Sequence, residues 1–270
     1  MSAKISAKDV MALRQKTGLG MMDCKEALLA NEGDMEKAIE WLRVKLKGKM
    51  DERADRAMTQ GRLALAASPD RKAVAIVEIN VETDFTARNE MVEKAANEIA
   101  SIALSGPVGE VAANDRITSI VDNIRITTGE NTVYRRGVKL EAPCCGAYLH
   151  FDNQKAALIT FSGAVDAETA KGICMHIVSH VPVPQGITDK DINPQLVARQ
   201  RELAKAEAIE SGKPPEIAEK MVEGKIRKFL AEITLLDQKY VKDLEGKKSV
   251  KDVLPKGVSI TAFQRLEVGR

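Results

Sequence analysis

Hydrophobic positions change their spacing along the chain, and these changes divide it into distinct segments. Up to about residue 48 they recur every three or four residues, which predicts three short amphipathic helices. From about 58 to 180, β-branched runs alternate twice with helical patterns, and tight polar turns between the runs favour antiparallel pairing. Two charged helical segments then flank a Gly-Lys-Pro-Pro break, as in a helical hairpin. The pattern predicts an α+β protein with small antiparallel sheets.

The same pattern predicts where the domains begin and end. We expect two similar α+β subdomains, which follow a three-helix module and a charged linker. In order, these are the module at 1–48, the linker at 49–57, the subdomains at 58–140 and 141–270, and within the second of these the hairpin at 191–231.

Several local signals support these helices. The first helix has Ser6 as N-cap, Asp9 to complete a capping box, and Gly18 as its stop. The apolar side of the second helix is predicted to consist of Met21, Cys24 and Leu28. The two arms of the hairpin are predicted to face each other through large apolar residues, namely Leu196, Leu203 and Ile209 on one arm and Ile217, Met221 and Ile226 on the other.

The connection between the strand predicted at 73–81 and the helix predicted at 87–104 contains an unusual residue. Phe85 lies there among polar neighbours, although the whole chain has only 5 phenylalanines. One interpretation is that Phe85 covers the end of its own sheet while Thr83 or Asp84 caps the helix. The other is that Phe85 is an anchor for a second protein.

Charge and composition exclude several classes of function. Lys and Arg total 41 against 39 Asp and Glu, so the net charge of +2 gives no general attraction for nucleic acid. The chain has neither a phosphate-binding loop nor a dinucleotide-binding glycine motif, and no nucleophile–base arrangement has a recognisable spacing. We therefore expect no direct nucleotide binding, no nucleic-acid partner, no cofactor and no enzymatic activity.

Cysteine content and hydropathy indicate the cellular compartment in which the protein is expected. Four cysteines in 270 residues do not resemble a secreted disulfide framework. No segment approaches the ~18 apolar residues needed to cross a membrane, and the N-terminus shows no apolar signal core. We expect a cytoplasmic protein without a membrane partner.

A histidine pair is the one candidate for a metal site. His176 and His180 are four residues apart on a predicted helix, as zinc ligands often are, and Cys174 is close by. The segment lacks the glutamate that a zinc hydrolase uses as general base. Ordinary helix histidines are the default interpretation, and a zinc-dependent hydrolase is a less favoured alternative.

Three motifs resemble the elongation factor Ts family, and together they span essentially the whole chain. The segment at 83–89 resembles the motif T-D-F-V-A-[RK]-N, with Thr86 where valine is usual. The segment at 17–28 resembles T-G-x-G-M-M-D-C-K-x-A-L of the family's ubiquitin-associated-like (UBA-like) N-terminal module, and 212–224 resembles its helical hairpin. Some members carry a further C-terminal helical module, which we do not expect here because the sequence given ends at Arg270.

The resemblance implies a guanine-nucleotide exchange factor for the GTPase elongation factor Tu. It implies that Asp84 and Phe85, flanked by Thr83 and Thr86, displace the partner's Mg²⁺ and so release GDP. Further partner contacts are implied for residues of the N-terminal module and of the second subdomain, namely Arg14, Met21, Met22, Lys25 and His150.

Some alternatives stay open. Met21 and Met22 could instead belong to the core of the module, since methionine suits both cores and adaptable interfaces. His150 is followed by Phe151 where the family has glycine. A homodimer is possible, and the runner-up function is a UBA-like protein-binding adaptor without exchange activity.

Overall fold

A computed structural model describes residues 5–51, 56–210, 212 and 214–270. The protein has the predicted α+β fold, with small antiparallel sheets and packed helices. The chain divides into two compact units. The first comprises the chain up to Ala66 together with Ala75–Lys139 and Glu267–Arg270, and the second comprises Ala67–Val74 and Leu140–Leu266.

The first unit begins with three helices: α1 (Ala7–Thr17), α2 (Met21–Ala30) and α3 (Met35–Asp51). Ser6 and Asp9 form the predicted capping box, and Gly18 ends α1 with a left-handed φ of 72°. Buried side chains from all three helices form the core of the module, namely Val10, Leu13, Leu19, Cys24, Ala27, Leu28, Ala38 and Leu42. Of the predicted apolar side of α2, Cys24 and Leu28 are buried, whereas Met21 is exposed and does not belong to the module core.

The predicted charged linker at 49–57 begins within α3, because that helix extends to Asp51. Residues 52–55 of the linker lie outside the described residues. The module boundaries therefore stay a prediction.

The remainder of the first unit packs helices on a four-stranded sheet with strand order β1-β2-β4-β3. Its elements are β1 (Gln60–Ala67), β2 (Ala73–Val81), α4 (Asp84–Ala87), α5 (Glu90–Ser105), β3 (Gly109–Glu110), α6 (Asp115–Thr128) and β4 (Thr132–Glu141). The helix predicted at 87–104 begins three residues later as α5, because Ala87 ends the single turn of α4 and Asn89 caps the new helix. Helix α6 was not predicted from the sequence.

The second unit contains a three-stranded sheet with strand order β5-β6-β7 and a helix packed on it. Its strands are β5 (Cys144–Leu149), β6 (Lys155–Phe161) and β7 (Ile260–Glu267), and its helices are α7 (Ala167–Ser179), α8 (Pro194–Glu210) and α9 (Pro215–Ile233). Strands β5 and β6 are antiparallel, with Cys144 opposite Phe161. In the described part of the chain, no helix is long and apolar enough to span a membrane.

Helices α8 and α9 form the predicted hairpin, but the residues that join them differ from the prediction. Ala204 and Ala208 pack against Val222 and Ile226. Of the six residues predicted to face each other, only Ile226 is buried. Two others, Leu196 and Met221, are half-buried, and the remaining three are exposed, namely Leu203, Ile209 and Ile217. Small alanines spaced four apart let the helices approach closely, whereas the prediction ranked large side chains first.

Candidate protein-docking site

The segment after β2 holds Phe85 away from the protein's own core. Thr83 caps α4, because its Oγ1 accepts a hydrogen bond from the backbone N–H of Thr86 at 3.3 Å. The side chains that close the core here are Thr86 and Ala87, both of which are buried. Phe85 is 84% exposed. The interpretation in which this ring covers its own sheet is therefore wrong.

Asp84 lies beside Phe85 and is only weakly engaged. Its carboxylate is 3.4 Å from the guanidinium of Arg88, one helical turn further on, and both side chains are substantially exposed. Exposed pairs at this spacing contribute about 0.3–0.5 kcal/mol. Asp84 can consequently exchange Arg88 for another partner at little cost.

Glu130 supports the turn from behind, and sequence analysis missed it. Thr83 donates its hydroxyl to Oε1 of Glu130 at 2.8 Å and its backbone N–H to Oε2 at 3.2 Å. The neighbouring Asn131 N–H donates to Glu82 at 2.7 Å. Glu130 is 47 residues from Thr83 in sequence, so only the folding of α6 brings them together.

The predicted contact residues of the N-terminal module lie on its surface. Arg14 is exposed near the end of α1, and Met21, Met22 and Lys25 are exposed on the first two turns of α2. Met22 has 74% of its surface exposed, so it is not part of the module core. The structure places these four residues in the same compact unit as Phe85.

His150 belongs to the second unit, at the turn that joins β5 to β6. Its Nδ1 lies 3.0 Å from the hydroxyl of Tyr148, and its backbone N–H donates to Lys155 O at 2.8 Å. The ring of Phe151 lies 4.5 Å from the imidazole and is 86% exposed. The turn closes through Asn153, which has a left-handed φ of 58°, a conformation that asparagine tolerates.

His176 and His180 do not form an open pair of metal ligands. His176 is fully buried, and both ring nitrogens are engaged: Nε2 lies 2.9 Å from Gln238 Oε1, and Nδ1 accepts the N–H of Val241 at 3.2 Å. Burial lowers the pKa of His176 to about 4, which keeps the imidazole neutral. Among the described residues, no group of three or more potential ligands is positioned around a metal.

The elements define an α+β protein with a three-helix N-terminal module, two small sheets and a helical hairpin, in which an aromatic side chain is displayed on a capped turn. The family model described as elongation factor Ts matches residues 82–270. Proteins named elongation factor Ts are similar over nearly the whole chain. That of Hahella chejuensis is 42% identical, covering 99% of this chain and 93% of its own length.

Two further proteins named elongation factor Ts match this chain over a similar share of its length. The protein from Thioalkalivibrio sulfidiphilus is 41% identical over 98% of this chain and 92% of its own length. The protein from Psychrobacter cryohalolentis is 40% identical over 98% and 91%. This chain belongs to the elongation factor Ts family and is a translation elongation factor.

Proposed function

We propose that this chain binds elongation factor Tu carrying GDP and promotes release of the GDP, so that GTP can bind in its place. Family membership supports the partner. The observation that carries the proposal is the 84% exposure of Phe85 on a turn whose own core is already closed by Thr86 and Ala87. The chain acts in the cytoplasm as a binding protein, without making or breaking a covalent bond.

The action of Phe85 follows from how GTPases of this class hold GDP. Backbone N–H groups cradle the phosphates, and Mg²⁺ bridges phosphate oxygens to side-chain ligands. Packed elements of this kind move between discrete arrangements when another group is inserted. Burying a phenylalanine side chain releases about 1.5–3 kcal/mol. Phe85 inserts into the partner, and that free energy drives the shift of the Mg²⁺ site.

Asp84 and the two threonines have supporting roles. The carboxylate of Asp84 accepts hydrogen bonds from partner groups that Phe85 displaces, and its negative charge disturbs the Mg²⁺ shell. Thr83 and Thr86 keep the turn in shape through their own hydrogen bond. The four residues together form the element that dislocates Mg²⁺.

The contact residues of the N-terminal module and His150 dock the chain on its partner and do not displace Mg²⁺. Exposed Met21 and Met22 present flexible apolar surface, flanked by the cations of Arg14 and Lys25. His150 adds a contact from the second unit.

Exchange is reversible, and the coupling is mutual. If this protein weakens GDP binding by some factor, GDP weakens the binding of this protein by the same factor. A complex of all three therefore forms only transiently, and GTP then displaces the exchange factor.

The test is stopped-flow release of a fluorescent GDP analogue from purified elongation factor Tu. The wild-type chain accelerates release, and Phe85→Ala greatly reduces the acceleration. Val108→Ala is a matched control, because Val108 is another exposed apolar residue of the first unit and has no place in the site. If the wild-type chain leaves release unchanged, the exchange function is wrong and the adaptor hypothesis takes its place.

A further inference from the structure

Helix α6 packs on two different sets of partners. Ile117, Val121 and Ile124 are buried in the core of the first unit, against the sheet and α5. Ile126 lies off this stripe and packs against the core of the N-terminal module. The C-terminal end of α6 therefore belongs to the module as well as to the core.

The next residue of α6 contacts the turn between α1 and α2. Thr127 Oγ1 donates to Thr17 O at 3.4 Å. A Cβ built on Gly18 would lie 2.8 Å from Thr127 Cγ2, so the lack of a side chain at Gly18 lets the turn and α6 pack closely. Gly18 is followed three residues later by Met21, where the exposed face of α2 begins.

The residue after the helix contacts the turn that carries Phe85. Glu130 follows Gly129, the C-cap of α6, and accepts both the hydroxyl and the N–H of Thr83. Because the Thr83 hydroxyl donates to Glu130, its lone pairs stay available to the N–H of Thr86. The carboxylate thus orients the cap that holds α4.

We propose that the segment 126–130 is a positioning element that fixes the module surface and the Phe85 turn relative to each other. Ile126 packs against the module core, Thr127 holds the turn that leads into Met21, and Glu130 holds the cap that precedes Asp84. Two surfaces far apart in sequence are thereby attached to one short segment. This inference rests on the proposed function, since it assumes that both surfaces meet the same partner.

The physical advantage is pre-organisation. Two contact elements that are already fixed in the free protein lose little conformational freedom when a partner binds, so more of the contact free energy appears as affinity. The two ends of the segment should then affect different quantities. Loosening the module weakens docking, whereas loosening the Phe85 turn weakens the displacement that follows docking.

The experiment measures GDP release from elongation factor Tu over a range of concentrations of the full chain. Glu130→Ala is expected to lower the saturating release rate about tenfold, because the bonds of a charged acceptor are lost. Glu130→Gln should recover part of the rate, since its amide oxygen still accepts from Thr83. Ile126→Ala should raise the half-saturating concentration about tenfold or less while leaving the saturating rate unchanged.

Hydrogen exchange gives a readout that does not depend on the partner. Glu130→Ala should speed exchange at the amides of Thr86 and Ala87 while the amides in the middle of α5 stay as in the wild type. Glu110→Ala is the matched control, because Glu110 is an exposed glutamate of the same unit. If Glu130→Ala fails to fold, Glu130→Gln and Thr83→Val provide the same comparison.

The outcomes separate this inference from the proposed function. If the wild-type chain releases GDP and Glu130→Ala does so equally well, the positioning element is wrong while the exchange function stands. The inference would also be overturned if Glu130→Ala and Ile126→Ala each lowered the saturating rate and raised the half-saturating concentration. The segment would then be only structural. If the wild-type chain is inactive, both proposals fail together.

Discussion

The two units each contain a strand that leads through a capped connection into a helix, and the two connections treat their apolar residues in opposite ways. In the second unit, between β6 and α7, Val165 is only 4% exposed and packs in the core, while Asp166 caps the helix by accepting the N–H of Thr169 at 2.9 Å. In the first unit the cap is Thr83, and the apolar residue that follows, Phe85, faces solvent.

The difference shows that a strand-to-helix connection does not require an exposed aromatic residue. The first unit has an additional single helical turn, α4, before its long helix. In this turn Phe85 faces solvent, while Thr86 and Ala87 close the core. Exposure of a large apolar side chain brings no stability to the free protein. The binding role proposed above would account for it.

The comparison is tested most strongly by truncating the apolar residue of each connection. Val165→Ala is expected to lower the free energy of unfolding by about 1–3 kcal/mol, because it removes buried methyl groups, and to leave GDP release unchanged. Phe85→Ala is expected to do the reverse, with release slowed by a factor equivalent to about 1.5–3 kcal/mol and stability kept. Urea unfolding and stopped-flow release measure the two quantities.

A loss of stability in Phe85→Ala as large as that in Val165→Ala would remove the contrast between the connections. The ring would then be part of the protein's own core.

The helices that follow the two connections differ in a way that pH can test. The buried side chains of α5 are all apolar, whereas α7 buries His176. Burial holds its pKa in the folded protein at about 4, below the ordinary histidine pKa of 6.5, so the unfolded state binds more protons between these two pH values. The contribution of His176 to the free energy of unfolding should therefore be fully present well above pH 6.5. It should fall by about 2 kcal/mol on going to pH 5.

Urea unfolding at several pH values measures this loss. His176→Asn serves as the control, because it has no imidazole to protonate and should show a flatter dependence between pH 6.5 and pH 5. An unchanged slope in the variant would show that another group causes the loss.

The caps give the smallest expected effect. Asp166→Ala should cost about 1 kcal/mol of stability, because the first turn of α7 loses a hydrogen-bond acceptor, and it should not affect GDP release. Thr83→Ala should affect release more than global unfolding, since α4 is a single turn. Thermal unfolding and stopped-flow release distinguish the two caps, and equal effects of both substitutions on release would contradict the contrast.

Much of the fold could be predicted from local signals. The strand at 73–81 has the bounds expected from its β-branched run. Ser6 and Asp9 begin α1 and Gly18 ends it, as capping chemistry requires. Helix α6 could not be found in this way, because its isoleucines, valine and threonines favour strands. Burial of apolar residues against both the core and the module overrides that preference.

The residues of the candidate site could be predicted only in part from the sequence. The Phe85 motif marks the segment, but the same residues are compatible with a plug or an anchor, and only the packing of Thr86 and Ala87 excludes the plug. Glu130 gave no local signal, because its partner Thr83 is distant in sequence and its helix was not recognised. Long-range hydrogen bonds of this kind depend on the fold as a whole.

Phe85 is proposed to act by displacing the partner's Mg²⁺, and chelation of that ion is the most direct test. The measurement is the ratio of GDP release rates with the wild-type chain and with Phe85→Ala, first in Mg²⁺ and then after chelation with EDTA. We expect a ratio of about tenfold or more with Mg²⁺ present and a ratio near one after chelation, because the ion no longer contributes to GDP binding. A ratio that stays the same after chelation would contradict the claim.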